Sequence, residues 1–416
     1  MPSSRGRSQV FFWLTLAFLL ISIHAYQLIP YWSFRGVDLQ NHFAFHHCAF
    51  RDQPYGVPGR VCLDVIGRDM IYPPPLYWAF AWTRRVTFDE AVTIWTYAIP
   101  LMLFPLMFAW TTEDQRRRVG LPELIFFWLL MLVQYPVLFA MERGNSDSPI
   151  VVLWTIALIF FRVRWIFFAG LFAGLSAAFK LYPAVSCAIV GLGMLVAAPG
   201  PRLFNWRYPL AYGVGCAIGV IAPLALFYEQ SSIYFKTVLP RFARSLSPLE
   251  VYSHPIPALA EAYGHPAWAS RLSLTLTAIW ALTSVRRMRH DPIIVFAGAL
   301  AIATYFSGVS YDCNLVTAYP LLLALFAYAL RGNARSPSAM WALLGIGLLS
   351  VVGDRFWFLD PHYLKLHVVL QVLWLAATGL YFALYERTPE NFAADASVLT
   401  SPAMVPDASS STADAT

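Results

Sequence analysis

The sequence predicts an all-α, polytopic membrane bundle of about twelve transmembrane helices, with interfacial helices in the first outer loop. Three observations predict the bundle. Of 416 residues, 58% are hydrophobic, 16% aromatic and only 12% charged, whereas a soluble domain carries about 25% charged residues. Apolar runs near membrane-crossing length recur from residue 9 to residue 385. Arg and Lys fall in alternate gaps between these runs, as the positive-inside rule requires. The net charge of +6 therefore reads as topology and lipid contact. No basic run interleaves with aromatics to form a nucleic-acid groove. The five cysteines, at 48, 62, 187, 216 and 313, form neither a CxxC pair nor a zinc-finger spacing.

Residues 1–8 carry Arg5 and Arg7 and read as a cytoplasmic N-terminus before the first run, 9–31. Ile23 stands where a cleavable leader ending at Ala25 would want a small residue, so the first helix is expected to be retained. Residues 32–88 then form the first outer loop. Its YPPPLYW stretch suits an interfacial helix starting at the prolines, because a crossing at 75–86 would put Arg116, Arg117 and Arg118 on the wrong face. Cys48 and Cys62 share this loop and stand as a candidate disulfide pair in an oxidising space. Further crossings are expected at 89–112, 122–141, 148–162, 165–180, 183–198, 208–228, 268–285, 291–309, 314–331, 338–358 and 365–385, with a large outer loop at 229–267. Residues 9–385 thus form one transmembrane domain, followed by 386–416, a small, polar, weakly acidic tail expected to be cytoplasmic and disordered. This topology places the protein in the cell inner (plasma) membrane, multi-pass, with both termini cytoplasmic.

Outside the cytoplasmic turns, the polar residues gather on one face, the outer one. The first loop brings Asp38; ERGNSDSP brings Glu142, Arg143, Asn145 and Asp147; FKLYP brings Lys180 and Tyr182; the large loop brings Arg241, Arg244 and His254; SYDCN brings Tyr311, Asp312 and Asn314; GDRFW brings Arg355. Each has a bland reading: a snorkelling lysine, a solvated loop acid, or Asn145, Ser146, Asp312 or Asn314 as helix caps. Their joint placement is what the bland readings leave unexplained, since ionisable residues at membrane depth mark function. Pro183 breaks the chain just after Lys180 and turns that lysine into a helix end. Asp38, His42 and His46 stand at i, i+4 and i+8, a spacing that would put three metal ligands on one helix face. No outer acidic cluster completes a shell, so neither a metal nor another cofactor is expected.

GVDLQNHF, the YPPP segment, the Gly-Asn turn of ERGNSD, the helix-ending KLYP and SYDCNLVTAYP occur in an order that resembles glycosyltransferase family 87, over roughly 9–385. These are membrane glycosyltransferases of the C-type fold that use polyprenyl-phosphate sugars and include bacterial α-mannosyltransferases. The resemblance implies Asp38 as the catalytic residue of the first outer loop and Lys180 as a contact to the lipid phosphate. His42 and Arg143 depart from the family pattern, which has an aromatic residue and a Gln at the corresponding places.

The chemistry suits these residues. A sugar hydroxyl needs a base, and one carboxylate, Asp38, suffices for an inverting displacement. A retaining one would call on a second carboxylate from Glu142, Asp147 or Asp312. The phosphate leaving group calls for cations from Lys180, Arg143, Arg241, Arg244 and Arg355. His42, Tyr72, Glu142, Asn145, Tyr182, His254, Tyr311, Asp312 and Asn314 remain as substrate contacts. The expected partners are a lipid-linked sugar donor, mannose favoured, a glycolipid or glycan acceptor, and the membrane, with no nucleic acid. A secondary transporter would instead place ionisable groups at helix midpoints and show related halves, and no internal repeat is evident. A non-catalytic envelope-assembly protein would not need Asp38.

Overall fold

The computed structural model describes residues 36–47, 72–196, 206–240, 255–306, 312–331, 336–352 and 366–384. The expected first crossing, the Cys48–Cys62 pair, most of loop 229–267 beyond Pro240, Tyr311, Arg355 and the tail lie outside them. Every element among the described residues is helical. In chain order they are α1 (Val37–His47), α2 (Pro74–Ala79), α3 (Phe88–Leu103), α4 (Glu113–Val119), α5 (Leu121–Leu132), α6 (Tyr135–Arg143), α7 (Asp147–Arg162), α8 (Ile166–Phe179) and α9 (Pro183–Val196). There follow α10 (Arg207–Leu226), α11 (Tyr228–Ile233), α12 (Ile256–Ala262), α13 (Ala267–Arg287), α14 (Pro292–Ala303), α15 (Tyr319–Arg331), α16 (Pro337–Gly347) and α17 (Leu366–Leu384).

A helix lies over each expected crossing from 89–112 onward, yet few of these are single long rods. Among the described residues three stretches are long and apolar enough to cross a membrane alone: Phe88–Phe108, Arg207–Leu226 and Leu366–Leu384. The expected crossing at 122–141 is two helices, α5 and α6, bent by 51° at the break before Tyr135. Pro136 sits in the first turn of α6, where its missing N–H costs nothing. Elsewhere α-helix passes into 3₁₀ or π turns: Phe104–Phe108 after α3, Thr304–Phe306 after α14, Asp312–Ala318 before α15 and Leu348–Val352 after α16. The hydropathy pattern locates the apolar segments but not these breaks, because a break changes backbone geometry without changing residue polarity. The stretch expected at the interface is α2 followed by a 3₁₀ segment, Ala81–Arg85; six and five residues respectively are too short to span a bilayer.

Between lipid-facing helices the hydrophobic effect gives little drive to pack, so close backbone approach and interhelical hydrogen bonds take over. Both are present. Gly170 and Gly174 on α8 face Gly215 and Gly219 on α10. A Cβ added at Gly170 would stand 2.1 Å from the Tyr212 carbonyl oxygen, and one at Gly215 2.2 Å from that of Phe167. Buried indoles tie other pairs: Trp128 Nε1 donates to the Leu103 carbonyl (3.1 Å), Trp154 to Phe296 (2.8 Å) and Trp280 to Leu375 (3.2 Å).

A side chain at Gly170 or Gly215 must push the two backbones apart. Gly215→Val is expected to destabilise the protein by ~1–3 kcal/mol, as overpacking does, whereas Gly213→Ala, which meets nothing within 4 Å, is expected to leave it unchanged or slightly stabilised. Thermal melting of the detergent-purified variants, followed by tryptophan fluorescence, measures both.

Candidate functional site

Two glycines bring the first-loop helix onto the helix break at 143–147. Gly36 precedes α1 and Gly144 ends α6, with φ of 69° and 68°, a left-handed conformation that costs other residues ~1–2 kcal/mol. Their contact is intimate: a Cβ on Gly144 would lie 2.7 Å from the Cβ of Leu39 and 3.6 Å from the Cα of Gly36. The Gly36 N–H donates to the Glu142 carbonyl oxygen at 2.7 Å. Asp38, in the first turn of α1, is thereby set beside Arg143, the last residue of α6.

The pair is bidentate and buried. Arg143 Nη2 donates to Asp38 Oδ1 at 2.6 Å and Nε to Oδ2 at 3.0 Å; the side chains are only 4% and 7% exposed. Asn145 Nδ2 adds a third bond to Oδ2 at 3.2 Å, and the Arg143 guanidinium lies 5.4 Å from the Phe139 ring centre. Burial pushes the Asp38 carboxyl up, but Arg143, by charge and by hydrogen bond, then Lys180 and Asn145, outweigh it and hold it below the ordinary carboxylate value. The sequence presents Asp38 as an outer-loop base; in the structure it is a buried carboxylate with donors on both oxygens.

A second pair lies alongside. Lys180, the residue that ends α8, donates from Nζ to Asp147 Oδ1 at 2.9 Å, and the Tyr182 hydroxyl donates to the same oxygen at 2.6 Å. Asp147 is fully buried. Asn145 joins the two pairs, because its Oδ1 accepts the Asp147 backbone N–H at 2.7 Å, while the Asn145 carbonyl accepts from Trp95 Nε1 at 3.0 Å. Asn145 therefore organises the turn. Ser146, the other expected cap, makes no capping bond: the third helical residue is Pro149, which has no N–H to give.

Aromatic rings roof the cluster. His42, one turn after Asp38, stacks on Phe80 with centroids 4.0 Å apart and planes at 6°, and on Tyr72 at 5.3 Å and 16°. Lys180 Nζ stands 5.1 Å from the Tyr72 ring centre. Both His42 nitrogens are buried without a protein partner. Burial, reinforced by the Lys180 charge and opposed by Asp38, pushes its pKa down to about 3, so the imidazole is neutral at physiological pH. The Tyr72 hydroxyl is pushed well up by burial and by the neighbouring Asp38 and Asp147 charges. His46 is engaged differently. Its Nε2 donates to the Tyr77 carbonyl (2.7 Å) and its Nδ1 accepts from Arg84 Nε (3.1 Å), fastening α2 and the following 3₁₀ segment to α1. The metal spacing of Asp38, His42 and His46 is thus spent on an arginine, two rings and a carbonyl. Among the described residues no three His, Cys, Asp or Glu gather as a metal cluster.

The structure brings together Asp38, His42, Tyr72, Arg143, Asn145, Lys180 and Tyr182. Glu142 is buried and anchors Gly36 through its carbonyl. Asp312 and Asn314 belong to the 3₁₀ segment that packs on α6 and α7, with Asn314 buried. Arg241, Arg244, His254, Tyr311 and Arg355 lie outside the described residues. Nothing in the sequence marks Phe80 or Trp95, and Asp147 stands out there only as a candidate second carboxylate; its nearness to the Gly-Asn turn is the available signal.

The buried imidazole makes stability pH-dependent. Between the unfolded histidine value of about 6.5 and the folded value of about 3, the unfolded chain binds a proton that the fold does not, so stability falls as pH drops through that window. The Asp38 contribution is present above the unfolded carboxylate value of about 4 and is lost as pH falls through its lower folded value. His42→Phe keeps the ring stack and removes the imidazole. Wild-type melting is therefore expected to fall more steeply than that of the variant between about pH 7 and about pH 5, as measured by melting in detergent across that range.

No family model matches the chain, and no solved structure matches it. A curated relative does: GPI mannosyltransferase 1 of the yeast Kluyveromyces lactis is 32% identical over 102 residues, which is 24% of this chain and 24% of the relative. The likeness spans about a quarter of that protein's length. The similarity is thus partial and to a mannosyltransferase, while no family model supports the motif resemblance to family 87.

Proposed function

We propose that the protein is a membrane glycosyltransferase that moves a sugar, mannose favoured, from a polyprenyl-phosphate donor to a hydroxyl of a lipid or glycan acceptor. The observation that carries this reading is the buried double ion pair, Asp38–Arg143 beside Asp147–Lys180, with the partial mannosyltransferase likeness in support. Two cations within one water-poor cluster suit a phosphate leaving group, whose developing charge is best met by preorganised donors. A carboxylate in the same cluster suits deprotonation of the acceptor.

In this reading the reaction has an order, which the resting geometry supports. With Arg143 on both of its oxygens, Asp38 is a weak base. A donor phosphate that draws the Arg143 guanidinium to itself removes the interaction that holds the Asp38 pKa down and leaves burial, which raises it. Asp38 then takes the acceptor proton as the new C–O bond forms, the bond between the anomeric carbon and the phosphate oxygen breaks, and the electron pair leaves on the phosphate held by Arg143 and Lys180. Attack opposite the phosphate inverts the anomeric carbon. The prenyl chain stays in lipid between helices, which accounts for a site at helix ends. In this reading the site faces the extracytoplasmic side of the plasma membrane, and Arg241, Arg244 and Arg355 are further candidates for the phosphate. A transporter is disfavoured because the charged groups pair at helix ends and breaks.

Membranes incubated with radiolabelled polyprenyl-phosphate sugars test the reading, and label is expected to leave one donor and appear in a lipid or glycan product. Asp38→Asn should insert and fold yet lower kcat by at least ~10²-fold, the usual share of a general base; full turnover in that variant overturns the mechanism. Lys180→Ala should raise the KM for donor more than the KM for acceptor, and equal changes would exclude a phosphate role.

A further inference from the structure

Three consecutive residues at the start of α7 carry side-chain oxygens that the fold does not use. Ser146, Asp147 and Ser148 are each fully buried, and Ser146 Oγ, Asp147 Oδ2 and Ser148 Oγ have no protein partner. The helix does not need them. Ser146 makes no side-chain capping bond, Pro149 removes the third-residue N–H that a capping serine can bond, and Asn145 already takes the Asp147 N–H. Nor is this how buried serines behave elsewhere in the bundle: Ser176, Ser186 and Ser284 donate to the carbonyls of Ala173, Ala299 and Ile189 at 2.6, 2.7 and 2.8 Å. Buried polar groups without partners are costly, so a run of them beside a cluster of charges calls for a ligand.

The mixture of groups states what kind of ligand. Two hydroxyls both donate and accept, a carboxylate oxygen only accepts, and a neutral imidazole, His42, does one of each with its two unpartnered nitrogens. An acceptor-only phosphate would meet repulsion at Asp147 Oδ2. A sugar, whose hydroxyls both give and take, satisfies the set. Asp147 is also held in one orientation by Lys180 and Tyr182 on its other oxygen, so Oδ2 is presented rigidly.

We infer that Ser146, Asp147 and Ser148, with His42, form the subsite for the hydroxyls of the donor's sugar. The inference rests on the proposed donor class, and it assigns the sugar rather than the phosphate to this end of the cluster. The two ends are adjacent because Lys180 touches both: it bonds Asp147, and it is the cation proposed for the phosphate to which the sugar is joined.

The test compares binding of two short-chain probes to the purified full-length protein, a prenyl-phosphate mannose and the same prenyl phosphate without sugar, by quenching of tryptophan fluorescence. Wild type is expected to bind the sugar-bearing probe ~10-fold or more tightly, as two or three added hydrogen bonds allow. Ser146→Ala/Ser148→Ala is expected to bring that ratio close to one, leave sugar-free binding unchanged and melt no lower than wild type, because it removes hydroxyls that have no protein partner. If the double variant is not recovered, Ser148→Ala alone should reduce the ratio. A variant that keeps the full wild-type preference overturns the subsite while the donor reading stands, as does a wild type that binds both probes equally. A wild type that binds neither overturns the donor reading, and the subsite with it.

Discussion

The contact on which the site depends is the ion pair between Asp38 and Arg143. Two charges taken out of water repay their desolvation only when the geometry is good and the remaining hydrogen-bonding capacity is filled. Here the guanidinium meets the carboxylate with two nitrogens and Asn145 supplies a third donor. That geometry requires the start of α1 and the end of α6 to touch. Gly36 and Gly144 make the touch by having no side chain where a Cβ would meet Val92 or Leu39. The Gly36 N–H on the Glu142 carbonyl and the Trp95 indole on the Asn145 carbonyl fix it from either side. Removal of one partner would leave a buried charge unpaired, a loss of ~3–5 kcal/mol in other proteins.

The second pair gives the first its chemical meaning. A lone Asp–Arg bridge is compatible with a purely structural role. Two acid–base pairs joined through one asparagine, with an imidazole and a carboxylate oxygen left without protein partners, are harder to explain by stability alone, since apolar replacements of the same volume would pack at less cost. Each cation is buried against a carboxylate, Arg143 on Asp38 and Lys180 on Asp147. The desolvation of such a cluster is met on folding, which is what the proposed function asks of a preorganised site.

Much of the cluster is legible in the sequence, and the illegible part has a physical cause. Asp38, the Gly-Asn turn and KLYP are visible because charge at the end of an apolar run is rare. The pairing of Asp38 with Arg143 is not, because 105 positions separate them and no local periodicity encodes so distant a contact. Asp147 stands out in the sequence only as a candidate second carboxylate beside the Gly-Asn turn; the approach of Lys180 and Tyr182 is what ties it to the cluster. His42 looks like a metal ligand or substrate contact by spacing, and its stack on Phe80 comes from the docking of the 72–85 stretch. Hydropathy likewise finds the apolar segments but does not distinguish one long helix from two bent at a break, as at α5 and α6.

Those breaks explain why the charges stand where they do. Arg143 ends α6, Asp147 begins α7 and Lys180 ends α8; each charged residue of the cluster that comes from the apolar helices sits at a point where a helix stops. A residue in the middle of an apolar helix projects toward lipid or a neighbouring helix and can be stabilised only by what happens to pack there. At a helix end the backbone also exposes unpaired N–H or C=O groups, which must be satisfied inside the protein wherever water is excluded. The Gly144 turn does so through Asn145, whose N–H bonds the Ala140 carbonyl and whose side chain takes the Asp147 N–H. The irregular backbone and the buried charges therefore solve one problem together: the same asparagine that closes the helix break also bridges the two ion pairs. Straightening α6 into α7 would remove the turn, the bridge and the alignment of Arg143 with Asp38 in one step. The short helices of this bundle are in that sense a condition of the site.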